Sequence, residues 1–234
     1  MLYTETSVRN NLRNREGKRV FYLAKGDRLT DSAREFLRRE GIQILDAEEA
    51  RPDRYQLTGG GYMEEKPEHL THLNAQVLVC KTHPRIRFRG ALDTLQAHLL
   101  LCQCRAEGQL RRDLGQVLTQ VREILRCEVL DTPVPEARLC GLDPEQLRRH
   151  SHFPQDYYGQ PHFMPEAEDG ELLLLLNLAR AAAREAEILA VDAFLDREGQ
   201  PTRGALLQAM NRISSMLYLL MIRVKADLPA GKTP

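Results

Sequence analysis

Arg180, Arg184 and Glu187 stand at i, i+4 and i+7 of the stretch Leu-Ala-Arg-Ala-Ala-Ala-Arg-Glu-Ala-Glu. On a helix these three side chains share one face. Leu173, Leu176 and Ala183 point in similar directions, so that face is expected to be otherwise apolar. Two guanidinium groups on such a face require an anion, because an unpaired charge out of water is costly. A protein carboxylate would make the pair a structural salt bridge. A phosphate would make it a ligand site. The residues alone leave both open. A second helical stretch, Met-Asn-Arg-Ile-Ser-Ser-Met-Leu-Tyr, places Asn211 and Arg212 opposite.

Two other places gather polar groups. Thr71 and His72, then Lys81, Thr82, His83, Arg85 and Arg89, fall in a stretch that reads as non-helical. Its cations and hydroxyls could cradle a polyphosphate, but on the residues alone a solvated loop is the better reading. Asp93 is an acid read on the Leu92–Leu95 face of a helix, where it wants a cation, or else an exposed residue at a helix start. No Ser-His-Asp order, metalloprotease helix motif or zinc-ligand spacing is present. His69, His72 and His83 have no matching cysteine cluster. Cys102 and Cys104 point in different directions on a predicted helix and read as small apolar packing.

These groups must be held by a mostly helical frame. Arg19–Ala24, Thr30–Glu40 and Ile42–Leu45 read as strand, helix and strand, with Thr30 as N-cap and Gly41 past the helix end. Residues 46–68 contain Pro52, Gly59, Gly60, Gly61 and Pro67 and read as a linker. Apolar residues at helical spacing predict helices over Ala91–Arg105 and Leu110–Leu130. Asp143–His150 reads as a short helix with Asp143 as N-cap, and His152–Pro165 as a loop. Gly170–Arg197 and Thr202–Lys225 read as the last two long helices. Four long amphipathic helices with short connections predict a mainly α, up-and-down bundle with a small N-terminal α/β element. The expected divisions are 1–55 for that element, 56–88 for a linker and phosphate-contacting segment, and 89–228 for the bundle.

The 234 residues balance 33 Lys and Arg against 33 Asp and Glu, so no broad field draws the chain to nucleic acid or an anionic membrane. The absence of Trp argues against base-stacking platforms. Leu172–Leu176, the most apolar run, is far too short to span a bilayer. An odd count of five cysteines and no apolar run at the start predict reduced thiols in a cytoplasmic protein.

At these residues the sequence resembles the ATP:corrinoid adenosyltransferases, specifically their ethanolamine-utilization branch. The resemblance runs through Arg28-Leu-Thr-Asp-Ser-Ala-Arg-Glu-Phe-Leu, Leu70-Thr-His-Leu, Lys81-Thr-His-Pro-Arg and Phe88-Arg-Gly-Ala-Leu-Asp. It continues through Met164-Pro-Glu-Ala, Asn177-Leu-Ala-Arg, Arg184-Glu-Ala-Glu and Asn211-Arg-Ile-Ser-Ser. It implies a trimerising helical bundle with active sites between subunits, and transfer of the 5′-deoxyadenosyl group of ATP, with Mg²⁺, to a Co(I) corrinoid, yielding adenosylcobalamin. It further implies that Asp93 pairs with Arg180, that Arg184 contacts the triphosphate, and that Glu187 and Asn211 help hold ATP. The family's N-terminal Thr-Arg-x-Gly-Asp-x-Gly motif is absent, and Lys81–Arg85, with Thr71, His72, Thr82 and Arg89 around it, is expected to take its place. Some members carry a His and Cys-Cys-x-x-Cys metal site. This sequence has no cysteine there, so no metal site built from protein cysteines is expected. In the family an aromatic residue before a proline shields the cobalt. Phe163 is the first candidate here, with Tyr157, Tyr158 and Met164 beside it. Ethanolamine ammonia-lyase or its reactivase as partner, and association with a bacterial microcompartment, belong to the same expectation. A non-catalytic corrinoid carrier and a structural microcompartment module are the alternatives.

Overall fold

The computed structural model describes residues 1–15, 18–47, 55–58, 60, 62, 63 and 66–227. The chain divides into two compact units, Met1–Gln56 with Gly61–Glu65, and Leu57–Gly60 with Lys66–Pro234.

The first unit runs β1 (Leu2–Tyr3), α1 (Glu5–Asn10), β2 (Arg13–Arg15), β3 (Lys18–Leu23), β4 (Arg28–Leu29), α2 (Asp31–Arg39) and β5 (Gln43–Asp46). β3 and β5 pair in parallel, Val20 opposite Gln43 and Leu23 opposite Asp46, with α2 as the crossover between them. Thr30 caps α2 by accepting the Ala33 N–H at 3.3 Å. Gly41, at φ +64°, turns the chain out of the helix. Val8, Phe21, Ala33, Phe36, Leu37 and Ile42 form a separate small core. The span 46–68 is not simply a linker. β6 (Tyr55–Leu57) and β7 (Tyr62–Met63) pair antiparallel, Tyr55 opposite Met63. Pro52, Gly59 and Gly61 lie outside the described residues.

The second unit opens with β8 (Leu70–His72) and β9 (Val77–Cys80), an antiparallel hairpin. Asn74 Oδ1 builds its turn by accepting the N–H groups of Gln76 and Val77, at 3.1 and 2.9 Å. The helices follow: α3 (Pro84–Arg105), α4 (Gly108–Val129), α5 (Pro144–His152), α6 (Pro154–Tyr158), α7 (Glu171–Phe194) and α8 (Gly204–Asp227). α3 begins well before the Ala91 expected from periodicity. Pro84 occupies its first turn, where a missing N–H costs nothing, and His83 Nδ1 accepts the Arg85 N–H at 3.2 Å. The stretch to Arg89 is therefore helical from Pro84 onward. α5 carries a full capping box between Asp143 and Gln146. The span His152–Pro165, expected as loop, contains α6, which Gly159 closes at φ +66°.

α3, α4, α7 and α8 share one core, with Phe88, Leu92, Leu95, Leu99, Leu114 and Leu173 among its fully buried members. Of the described helices only α8 has the length and apolarity of a membrane span, and more than half of that window is buried inside the unit. Cys102 lies in this core, whereas Cys104 is exposed, contrary to a packing role for both.

Candidate functional site

α7 turns a row of small residues inward. Ala179, Ala183, Ala186 and Ala190 are fully buried, and the helix packs on both α3 and α8. Leu173, Leu176 and Ala183 face the core. Arg180, Arg184 and Glu187 are not centred on that apolar stripe, as the sequence suggested. They lie on its border, because their positions are rotated away from the buried alanines. Beyond them an open groove is lined by Arg180, Ala181, Arg184, Glu185, Ile188 and Leu189. Ile188 is 68% exposed, and Leu174, Leu178 and Val191 are exposed on the same helix.

Arg180 is half-buried and donates through Nε and Nη2 to Asn177 Oδ1, at 3.1 and 2.9 Å. Burial, then the like charge of Arg184, pulls its guanidinium below the ordinary value, which Tyr218 partly offsets. Among the described residues, neither Arg180 nor Arg184 has a carboxylate within 4 Å. Glu187 is engaged instead across the helix pair. It accepts from Asn211 Nδ2 at 2.8 Å and from Ser214 Oγ at 3.4 Å. The structure thus brings Arg180, Arg184, Glu187 and Asn211 onto one border of α7 and α8.

Asp93 is not on the buried face with Leu92 and Leu95. It is exposed, and its Oδ1 accepts from Gln96 Nε2 at 3.4 Å. Within one chain it forms no ion pair with Arg180.

The segment from Thr71 to Arg89 divides sharply. Glu128, at 0% exposure near the end of α4, draws in two of its arginines. Arg85 donates through Nε to Glu128 Oε1 at 2.5 Å and through Nη2 to the Glu128 carbonyl at 2.8 Å. Arg89 donates to both carboxylate oxygens and, through Nη2, to the Leu73 carbonyl at 2.7 Å. Its Nη1 also reaches the His72 carbonyl at 3.3 Å. In the chain alone, Arg85 and Arg89 are therefore both paired with Glu128, and Arg89 also ties the β8–β9 turn to it. Burial, then the charges of Arg85 and Arg89, holds His83 below its usual range. Thr71 pairs with Val79 inside the hairpin. Lys81 stays exposed, 3.8 Å from Glu68. Thr82 Oγ1 donates to Cys80 Sγ at 3.1 Å, which lowers the pKa of that exposed thiol. Sequence reasoning missed Glu128. Its signal was an acid continuing the apolar row Val121, Ile124 and Leu125 on α4.

The aromatic segment is tied down at one end. His162 Nδ1 and Tyr218 Oη are 2.8 Å apart, and the two rings stack at 5.6 Å between centroids. Phe163 is half-buried, stacked near Tyr218, with Lys225 Nζ 5.6 Å from its ring centroid. Lys225 itself pairs with the buried Asp169. Tyr157 stacks on His150 at 3.7 Å, and Tyr158 Oη lies 2.9 Å from His150 Nδ1. Met164 is 85% exposed. Among the described residues no cluster of three or more His, Cys, Asp or Glu side chains could hold a metal.

The family described as cobalamin adenosyltransferase matches residues 61–224. The corrinoid adenosyltransferase EutT of Salmonella typhimurium is 34% identical over 97% of this chain and 93% of its own. That of Escherichia coli K12 is 33% identical over 94% and 90%. A variant PduO-type ATP:corrinoid adenosyltransferase of Lactobacillus reuteri, solved with cobalamin and ATP, overlaps 76% of this chain and 92% of its own. Its TM-score is 0.46 at 17% identity.

The Glu128 cluster yields a stability prediction. Glu128→Ala leaves two largely buried guanidiniums without their shared carboxylate, which costs about 3–5 kcal/mol. The midpoint of urea unfolding should fall accordingly, with an unchanged m-value. A shift of under about 1 kcal/mol would mean that the arginines reach another partner.

Proposed function

The chain belongs to the cobalamin adenosyltransferase family, and we propose on that premise that the α7 groove holds the triphosphate of ATP. The protein is a corrinoid adenosyltransferase. It transfers the 5′-deoxyadenosyl group of ATP to the Co(I) centre of a corrinoid. The cobalt electron pair forms the Co–C5′ bond as the C5′–O bond breaks, and triphosphate leaves with the bonding electrons. No proton moves at the reacting carbon, so no general base is required.

What the chemistry does require is charge on the leaving group and alignment of the two reactants. One observation carries the reading. Arg180 and Arg184 sit side by side at an open groove, and neither is neutralised by a carboxylate among the described residues. That is the arrangement expected of an anion site and not of an internal salt bridge. Glu187, with Asn211 fixed against it, lies next to the groove and is positioned to orient the nucleoside end. Lys81 supplies a further exposed cation for the phosphates. Mg²⁺ enters with ATP. The described residues offer no cage of their own for it, so phosphate oxygens would hold it, and it would neutralise leaving-group charge.

The exposed Leu174, Leu178 and Ile188 flank the arginines, and this reading covers them with a second copy of the chain in a homotrimer. Asp93 of that copy would then meet Arg180, with which it forms no ion pair within its own chain. The aromatic segment faces the corrinoid. Phe163 is held beneath by Tyr218 and Lys225, while Met164 projects outward. Exclusion of the axial ligand by this pair would ease reduction of Co(II). Action in ethanolamine utilization follows from the relatives. Delivery of product to ethanolamine ammonia-lyase or its reactivase, and a cytoplasmic, microcompartment-associated location, complete the proposal.

The assay is loss of Co(I) absorbance when cob(I)alamin meets MgATP, with triphosphate released in equal amount. Binding of corrinoid without turnover would identify a carrier instead. Arg184→Ala should lower kcat/KM for ATP about thirtyfold or more, the loss of roughly 2–4 kcal/mol for a charge-assisted contact to the leaving group. Lys81→Ala should act in the same direction and more weakly. Wild-type ATP kinetics in both would return these residues to a structural role.

Subunit mixing tests the shared site. Asp93→Asn and Arg180→Ala should each be nearly inactive alone. Unfolded together and co-refolded, they should recover part of wild-type activity, because some mixed interfaces carry both native residues. No recovery despite exchange of subunits would contradict the intersubunit pair. For the corrinoid face, the electronic spectrum of cob(II)alamin with MgATP is diagnostic. Phe163→Ala and Met164→Ala should each reduce the four-coordinate species. An unchanged spectrum in both would move the shield to Tyr157 or Tyr158.

A further inference from the structure

Residues 159–170 run from α6 to α7 as irregular chain with one 3-10 turn at Ala167–Asp169. A surface connection of this kind is ordinarily mobile. Here α8 fastens it at two points. The first is His162. Its ring lies within 12° of parallel to that of Tyr218, and its Nδ1 is 2.8 Å from Tyr218 Oη. Its Nε2 is 3.2 Å from the His152 carbonyl oxygen. A carbonyl can only accept. In the neutral ring Nε2 therefore carries the proton, and Nδ1 accepts from the Tyr218 hydroxyl. The second point is Asp169, a buried carboxylate. Its Oδ1 pairs with Lys225 Nζ, and its Oδ2 accepts the Glu166 N–H at 3.0 Å.

The anchors are spaced alike on both sides. Tyr218 and Lys225 stand at i and i+7 of α8, which puts them on one face, about 10 Å apart along the axis. His162 and Asp169 are also seven residues apart. Phe163 comes within reach of both anchors. Its ring stacks near Tyr218 with centroids 6.5 Å apart, and Lys225 Nζ is 5.6 Å from its centroid. The ring thus has a fixed place in an otherwise irregular segment. Phe163 and Tyr218 are only partly buried, at the edge of the bundle core.

We propose that His162, Tyr218, Asp169 and Lys225 are positioning residues for the corrinoid shield: they hold Phe163 in place before the corrinoid arrives. The proposal rests on the reading of Phe163 given above. The four residues act through Phe163 and not on the reacting atoms. A shield already in place excludes the axial ligand without the entropic cost of ordering its segment on binding.

Hydrogen exchange of the full chain, free of corrinoid, tests the clamp without any chemistry. Tyr218→Phe keeps the stacked ring and removes the hydroxyl. Lys225→Met keeps the aliphatic stem and removes the charge. Each should speed exchange of the amides in residues 160–169 roughly threefold to tenfold, the effect of one lost hydrogen bond, while those of α3 and α4 keep their wild-type rates. His162→Phe should reproduce Tyr218→Phe. His162 is exposed, so this variant keeps the test readable should an α8 variant fold poorly. Unchanged exchange of residues 160–169 in the three variants overturns the clamp.

The electronic spectrum of cob(II)alamin with MgATP tests what the clamp is for. Each variant should lower the four-coordinate fraction by about twofold or more. Each should slow turnover from cob(II)alamin by a larger factor than turnover from pre-reduced cob(I)alamin. A merely structural role would slow both alike. If Phe163→Ala lowers the four-coordinate fraction and none of the three variants does, the shield stands and the positioning role is contradicted. If Phe163→Ala leaves that fraction unchanged while exchange responds as stated, the clamped residue is not the shield. The reading of Phe163 then fails, and the positioning role fails with it.

Discussion

The alanine row of α7 is the constraint on which the rest depends. Ala179, Ala183, Ala186 and Ala190 carry no side chain beyond Cβ and are fully buried. They let α7 lie close to α3 and α8, as small residues do wherever two helix backbones approach. Close approach fixes what stands at the border of the row. Arg180 and Arg184 emerge on that border, and one turn further along it Glu187 reaches Asn211 of α8. A larger residue in the row would force the helices apart, and the polar border would lose its register before the core lost its apolar character.

Two arginine clusters in the same unit differ in how their charges are met. Around Glu128 the charges close on themselves. One buried carboxylate, two guanidiniums and the carbonyls of His72 and Leu73 satisfy one another. The result ties the β8–β9 turn to the end of α4. On α7 the charges do not close. Arg180 finds only the neutral Asn177, and Arg184 projects into the groove. An unneutralised guanidinium pair costs free energy in the empty protein and favours whatever anion relieves it. On the function proposed above, the triphosphate gathers negative charge as it departs, so that preference would fall on the reacting state.

Much of this was legible in the sequence, and the failures are physically specific. The four long helices announced themselves through apolar residues at Leu92, Leu95 and Leu99, and at Leu114, Val117 and Val121, because a shared core imposes helical period on each. The Arg180–Glu187 spacing predicted a shared border correctly, since i, i+4 and i+7 is a local property. The role expected of Arg85 and Arg89 was another matter. Their cationic character was visible, but their carboxylate partner lies about forty residues away on another helix, and no local pattern encodes such a pairing. Helical period placed the start of α3 at Ala91, whereas Pro84 opens it, because the first turn of a helix has no use for its missing N–H. The pairing of β6 with β7 was hidden because the glycine-rich composition of 59–61 reads as a linker.

The central claim is that Arg180 and Arg184 bind the leaving triphosphate. Titration of inorganic triphosphate with Mg²⁺ into the full chain measures that contact without the adenosine or the corrinoid. The account predicts saturable binding that weakens as salt rises, falls by at least tenfold in Arg184→Ala, and is lost when Arg180 and Arg184 are both replaced by alanine. Equal affinity in the wild type and the double variant would contradict it.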